Sequence, residues 1–363
     1  MKVFIQAIYD YGIFRIFKRV GYEFRKILDK IILKSISLRL IGVKRTPNFK
    51  NNFSKISQKC NSYKSETKLI SNSINFELVG KKEILLRPFS WNNRNWTRLW
   101  QFNLNYFDWA RNWLDESIDK RKWINSFNVI SLLMDDWILL NKLGHGDGWH
   151  SYTLSLRIRN WIWIFICNKR LINKNRINSL WIQICWLDTH LENANGGNHY
   201  LENLITLIFG ALHFDGLRAN KIYNVAMKNL EYELHSQILE DGGHEERSAS
   251  YHILILDHLV ELGCVIEALK NERPVWLVEK ITIMFKWLNC IYLKDNRFPR
   301  FNDSPHNGCP SIEVVHKYAK SYIERKAFEL NGLRNLLIKS IFPTDIDSKL
   351  KINKDLNPII HLP

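Results

Sequence analysis

The sequence predicts an all-helical chain, and three observations carry that expectation. From Trp91 onward, long segments repeat apolar residues at i, i+3, i+4 and i+7, the spacing that lines one face of a helix. Short polar breaks rich in Gly separate them: Gly144-His145-Gly146-Asp147-Gly148, Gly196-Gly197, Asp215-Gly216 and Asp241-Gly242-Gly243. Strand signals are weak throughout this region.

Helices are expected at about 97–115, 122–142, 150–169, 176–192, 199–213, 217–239, 249–268 and 275–292. The fifth shows the pattern best, with Leu201, Leu204, Ile205, Ile208, Phe209 and Leu212 on one stripe. Short turns between successive helices make antiparallel neighbours. Repeated helical hairpins of this kind can curl into an α/α toroid, whose inner helix ends line a groove. That body is expected over residues 91–342. Residues 41–90 are polar and mixed, a loosely structured connector with one short hairpin near Phe76 to Leu86. Residues 343–363 are a tail too short for a further domain.

In residues 1–40, Ile13, Phe14, Phe17, Val20 and Phe24 recur at helical spacing beside basic side chains. Such a basic amphipathic helix either packs on its own domain or lies on an anionic membrane surface. Charges at Asp10, Arg15, Lys18, Arg19 and Glu23 interrupt it, so it does not read as a signal peptide. No stretch reaches the roughly 18 apolar residues of a membrane span. The six cysteines form no C-x-x-C pair and read as free thiols, with no disulfide framework and no zinc site. A cytoplasmic or membrane-peripheral location follows as the expectation, with no metal and no cofactor.

The 363 residues carry a formal net charge of +16. Such a surplus attracts a polyanion: nucleic acid, anionic lipid or acidic glycan. The basic residues are scattered and no recognition motif accompanies them, which sets nucleic acid aside.

Four constellations can carry chemistry. Asn195-Gly196-Gly197-Asn198-His199 is a Gly-rich turn entering a helix. Asn198 stands where an N-cap would, and a helix start can also hold a carboxylate. Glu202, three residues beyond His199, is placed to orient its imidazole. The second run, Asp241 to His252, packs His244, Glu245, Glu246 and Arg247 before an apolar helix that Ser248 can cap. Tyr251 and His258 share a face of that helix, while His252 reads equally as a core histidine. Phe301-Asn302-Asp303-Ser304 is the third, with Asp303 a cap or an arginine partner. The fourth is a crowd of tryptophans, of which Trp149, opening a helix after a Gly-rich break, is the best sugar-stacking platform.

The Asn195–Leu212 run, the Asp241–His252 run and Phe301–Ser304 together resemble the N-terminal domain of heparinase II/III-type polysaccharide lyases. Phe102–Trp109 and Ser155–Trp161 also look like that family. The resemblance covers about residues 91 to 320, and the Asn-His and Ser-x-x-Tyr-His runs, about fifty residues apart, are its most specific part.

The resemblance implies an incomplete α/α toroid and β-elimination on a uronate-containing polysaccharide. It implies that Asn198 neutralises the uronate carboxylate and that Tyr251 serves as base or acid, with His199 and His252 at matching motif positions. Glu245, Glu246, Arg247, Trp149 and Asp303 are the expected substrate-binding residues. Complete members add a C-terminal β-sandwich that contributes a catalytic His. No strand-rich region follows here, so that domain is expected to be missing or separately encoded.

The chemistry agrees with the residue types. Neutralising a uronate carboxylate lets charge delocalise into it as the C5 proton leaves. Tyrosine, with a reference pKa of about 10, serves as the acid without any shift. As a base it would need a cation nearby, such as Arg247 or a protonated His. Two other readings remain: a non-catalytic carbohydrate-binding or assembly protein, and a glycoside hydrolase pairing Glu245 or Glu246 with Asp303.

Overall fold

The computed structural model describes residues 20–21, 23–24, 27, 38, 42–43, 45–50, 53–61, 64–65, 73–86, 89–120, 122–123, 126–194, 196–293, 297–305 and 308–342. Most of the amphipathic segment 1–40, Asn195 and the 343–363 tail lie outside the described residues.

Among the described residues twelve helices with stated bounds follow one another: α1 (Ser54–Asn61), α2 (Arg98–Tyr106), α3 (Asp108–Lys120), α4 (Ser126–Leu140), α5 (Ser151–Cys167), α6 (Lys174–Thr189), α7 (Gly197–Leu212), α8 (Leu217–Gln237), α9 (Ala249–Lys270), α10 (Val275–Ile291), α11 (Ile312–Glu324) and α12 (Gly332–Ile341). One antiparallel hairpin, β1 (Ser73–Leu78) with β2 (Lys81–Leu86), stands where a hairpin is expected. A two-residue parallel pairing of Lys64–Ser65 with Lys122–Trp123 is the other sheet among the described residues.

Burial sorts the helices into an inner and an outer set. Every residue of α5 except Tyr152 is buried, and every residue of α7 except Gly197 and His199. A helix buried all round must be surrounded by others. The outer helices bury one stripe only: Ala219, Ile222, Ala226, Leu230 and Leu234 on α8, and Leu277, Ile281, Met284, Leu288 and Ile291 on α10. In space, α5 packs on α7 and α7 on α9, while α8 backs α7 and α10 backs α9. Helix α12 touches both α9 and α3, and α3 returns to α5. The result is an incomplete α/α toroid of helical hairpins.

Charges run down its axis. Arg159 of α5 donates to Glu202 of α7 at 2.7 Å and lies 3.7 Å from Glu261 of α9. Arg111 of α3 donates to Glu261 at 2.8 Å. Arg334 of α12 holds Asp257 of α9 through two bonds, at 2.8 and 2.6 Å. His258 of α9 is hydrogen-bonded to Glu202. Burial penalises each of these carboxylates, yet the facing arginines and His258 outweigh it and hold Glu202, Glu261 and Asp257 below their ordinary range.

A second buried cation is handled differently. Arg157 donates to Gln183 at 2.8 Å and to the carbonyls of Asn105 and Gly148 at 3.1 and 2.7 Å, with its guanidinium 3.8 Å over the Trp137 ring. These bonds tie α5 to α6, α2 and the turn before α5.

Three expectations need correction. The helix expected at 97–115 is two helices, because buried Phe107 takes a left-handed conformation (φ 62) and packs on Trp91. Helices α11 and α12 follow the expected eight. Within 41–90, α1 sits on α5 with Phe53, Ile56 and Cys60 buried, so this part is no loose connector. Cys60, Cys167, Cys185 and Cys264 are buried free thiols, whereas Cys290 is exposed and Cys309 half-buried.

Two stability predictions follow from these buried charges. Glu202→Ala strands Arg159 in the interior, and a loss of about 3–5 kcal/mol is expected by urea denaturation. The second concerns acid. Burial lowers His213 and His244 to about 4 and His252 to about 3, from an ordinary 6.5, so these side chains stay neutral when folded. The unfolded chain takes up their protons first, so stability falls as pH drops below 6.5. The depressed carboxylates add a further loss below their ordinary 4.5 and 3.8. Asp108 and Asp188, raised by burial, oppose it. The urea midpoint is expected to decline steadily from about pH 6.5 to pH 4; a flat profile down to pH 5 would contradict neutral buried histidines.

Candidate functional site

The N-terminal ends of α5, α7 and α9 open on one face of the toroid. His150 caps α5, Asn198 and His199 lie in the first turn of α7, and Tyr251 lies in the first turn of α9. The 241–248 loop and the 297–305 segment border them.

Around α7, a buried carboxylate organises the imidazoles. Glu192 is 2% exposed. It accepts from His199 Nδ1 at 3.1 Å and lies 3.8 Å from His150 Nε2. Its backbone N–H donates to Asn203 Oδ1 at 2.9 Å, which fixes it against α7. Burial works against a charge on His199, but the bond to Glu192 and the nearby charges of Glu192, Glu246 and Glu202 outweigh it and raise its pKa above 6.5. The His199 ring stacks on Tyr152 at 4.2 Å.

Tyr152 also lines a cavity of about 620 Å³ that continues into the toroid. Tyr106, Arg159, Leu254 and His258 line it too. Leu254 and His258 lie three and seven residues beyond Tyr251, on the same face of α9. The rim and the cavity therefore share two helices and form one surface.

Tyr251 is held by Ser248 and Asp303. Ser248 Oγ caps α9 by accepting from the Tyr251 N–H at 3.3 Å, as expected, and itself donates to the Asp303 carbonyl at 2.7 Å. The Tyr251 hydroxyl donates to Asp303 Oδ2. Burial, this bond and the charges of Asp303 and Glu246 all push the phenol above its ordinary value. Each of these causes disfavours a tyrosinate, so Tyr251 stays neutral.

Several sequence expectations change here. Asn198 is 8% exposed and is not the N-cap: Gly196 is, and Glu246 Oε1 accepts from the Asn198 N–H at 2.6 Å. Glu202 faces Arg159 and His258, one turn below the rim, and His199 takes Glu192 as partner. His252 is fully buried, bonded to the Met284 carbonyl at 3.0 Å and packed on Trp287, so it belongs to the α9–α10 core and not to the groove. Trp149 is also core, packed between Trp137 and Trp186 at 5.6 Å from each, and offers no face to a sugar.

Asp303 partners Tyr251 where an arginine was the alternative. Glu245 and Arg247 are exposed on the loop. Of the hydrolase pairing of Glu245 or Glu246 with Asp303, Glu246 accepts from the Asn198 N–H, Asp303 accepts from the Tyr251 hydroxyl, and Glu245 is exposed. His150, Glu192 and Tyr152 were missed. His150 and Tyr152 follow the same Gly-rich break that singled out Trp149, so that signal pointed one and three residues short. Glu192 carries no local signal. Among the described residues no His, Cys, Asp and Glu group is arranged to hold a metal.

Comparisons with known proteins bear on this geometry. Residues 108–330 match the heparinase II/III N-terminus family. A solved heparinase III is similar at 16% identity, with a TM-score of 0.51 over 82% of this chain and 52% of that one. A second heparinase III, with methylated lysines, is similar at 14% identity, with a TM-score of 0.52 over 88% of this chain and 53% of that one. A heparan sulfate lyase from Pedobacter heparinus is 14% identical over 91% of this chain and 53% of that one, with a TM-score of 0.48. No curated protein matches. The chain spans about half the length of these solved structures, and at such identities the likeness concerns the fold. The family match rests on the sequence itself and covers most of the toroid: the chain belongs to the heparinase II/III N-terminus family.

Proposed function

We propose that the chain binds a uronate-containing acidic polysaccharide at the N-terminal ends of α5, α7 and α9 and takes part in its cleavage by β-elimination. One observation carries this reading. Asn198 and His199 on α7 stand beside Tyr251 on α9, and Glu246 is bonded to the first and close enough to raise the other two electrostatically.

In this reading the uronate carboxylate meets the Asn198 amide and the His199 imidazolium. Their hydrogen bonds neutralise it, so that charge developing at C5 can spread into the carboxylate. The C5 proton passes to a base that this reading assigns to the β-sandwich of complete family members, the C4–C5 double bond forms and the C4–O bond breaks. Neutral Tyr251 gives its proton to the leaving glycosidic oxygen, for which a raised pKa is no obstacle. The next sugar of the chain passes Tyr152 into the cavity. The formal charge of +16 supports an acidic partner. The family takes its name from heparinases, and two of the solved neighbours are heparinase III structures, which favours a glycosaminoglycan among acidic glycans.

The direct test is incubation with uronate polymers while following absorbance of the unsaturated ends. Asn198→Ala is expected to lower kcat/KM by about 100-fold, the effect of one lost oxyanion donor. Tyr251→Phe is expected to lower kcat by about 100-fold or more while glycan binding survives. Glycan binding without any unsaturated product, from a folded wild-type chain, would replace cleavage by a purely binding role. On the pH axis, His199 must be protonated and its pKa is raised, so kcat/KM is expected to hold through pH 6.5 and fall above it. Tyr251 contributes no limb below its ordinary pKa of 10.

A further inference from the structure

The 244–248 loop is built more rigidly than a solvated polar loop. His244 is 1% exposed and its Nδ1 accepts the Glu246 N–H at 3.3 Å, while its Nε2 bonds Gln237 Oε1 at 3.2 Å. The neutral ring fits both roles, as burial lowers its pKa to about 4. The Glu245 N–H donates to the Gln237 carbonyl at 2.8 Å. Asn302 Nδ2 donates to the carbonyls of Glu246 and Arg247 at 3.1 and 3.2 Å. Arg247 is held at φ 52, a left-handed conformation that a non-glycine residue adopts only when its surroundings impose it. Ser248 then caps α9.

Out of this arch the Glu246 side chain crosses to α7. Its Oε1 accepts the Asn198 N–H at 2.6 Å. Position 197 is glycine where the carboxylate passes: a Cβ there would stand 2.5 Å from Glu246 Oε1, and the backbone is at φ +66. Both sides of the contact are thus shaped for it.

We infer that Glu246 is a positioning residue, whose carboxylate spans from the 244–248 loop to α7 and fixes Asn198 and His199 against Tyr251 for the elimination. The inference rests on the proposed lyase reading and replaces the expectation that Glu246 binds substrate. Through the Asn198 N–H it sets the start of α7, a helix end whose partial positive charge favours an anion. Through its charge it supports the imidazolium of His199. The groups facing that imidazole are Glu192 from the turn before α7, Glu202 from α7, Glu246 from the loop, and His150 and Tyr152 from the start of α5. Glu192 is the dominant partner, and Glu246 is a separate contribution from another element.

Two variants separate bond from charge. Glu246→Gln keeps an acceptor for the Asn198 N–H and removes the charge. Glu246→Ala removes both. The His199 ring signals of the selectively labelled chain, assigned by His199→Gln, are followed by NMR against pH. In Glu246→Gln the His199 midpoint is expected to fall by about half a pH unit, and the alkaline limb of kcat/KM to move down with it. In Glu246→Ala, kcat is expected to fall at least about tenfold below Glu246→Gln at each variant's optimum. Gly197→Ala, which pushes the carboxylate away, should resemble Glu246→Ala. An unchanged His199 midpoint in Glu246→Gln overturns the inference, whether or not turnover is seen. A shifted midpoint in a chain without turnover on any uronate polymer leaves the Glu246 link standing and overturns the lyase reading instead.

Discussion

Five helices of this toroid meet at one set of buried and half-buried charges, most of which also line the cavity. Arg111, Arg159, Glu202, Asp257, Glu261 and Arg334 come from α3, α5, α7, α9 and α12, and each is bonded across a helix boundary. Taking such charges out of water costs several kcal/mol per ion, repaid only by close geometry. Apolar packing would let inner helices slide or rotate with modest loss. These pairs tolerate little of either, since an offset of an ångström or two leaves a buried charge unmatched. The network therefore sets the register of the inner helices.

The candidate site rides on that register. Tyr152 lies seven residues before Arg159 on α5, Asn198 four before Glu202 on α7, and Tyr251 seven before His258 on α9. Each rim residue stands one or two turns above an axis residue on the same helix face. Fixing the charges below thus fixes the side chains above. Loops from outside the inner set complete the placement: Glu246 accepts the Asn198 N–H, Ser304 Oγ accepts the Ala249 N–H at 3.0 Å, and Asn302 holds the carbonyls before α9. Arg157, fully buried on α5, stands outside this network and is held by Gln183, backbone carbonyls and a Trp face.

Much of this was legible in the sequence. Apolar periodicity located α4 to α10 within a few residues, because burial of a helix face is written in spacing alone. It failed at Phe107, where one left-handed residue divides a continuous apolar run, and in 41–90, where the apolar stripe at α1 is only Phe53, Ile56 and Cys60, too short to stand out from the polar residues around it. In the site, motif and helix-start chemistry pointed to Asn198, His199 and Tyr251. They could not settle which way His252 faces beside Tyr251, adjacent residues about 100° apart on α9, one bonded to Asp303 and the other to α10. Trp149 failed likewise, since an aromatic after a glycine break can face either way. Partners were the least legible. Glu192 and Glu202 are seven residues before and three after His199, and only the packing of α5, α7 and α9 decides which one reaches it.

The common orientation of α5, α7 and α9 has a further consequence. Each of these long helices ends at the same mouth with its N-terminus, where a fractional positive charge resides. The mouth thus attracts anions through backbone dipoles as well as through basic side chains. The two act over different ranges. Scattered lysines and arginines draw a polyanion from a distance and are screened within roughly 8 Å at physiological ionic strength. Helix ends act within their first turn, largely beneath that screening. In the proposed reading, capture of a polysaccharide chain weakens as ionic strength rises, while seating of one carboxylate by Asn198 and His199 beside these helix ends depends less on salt.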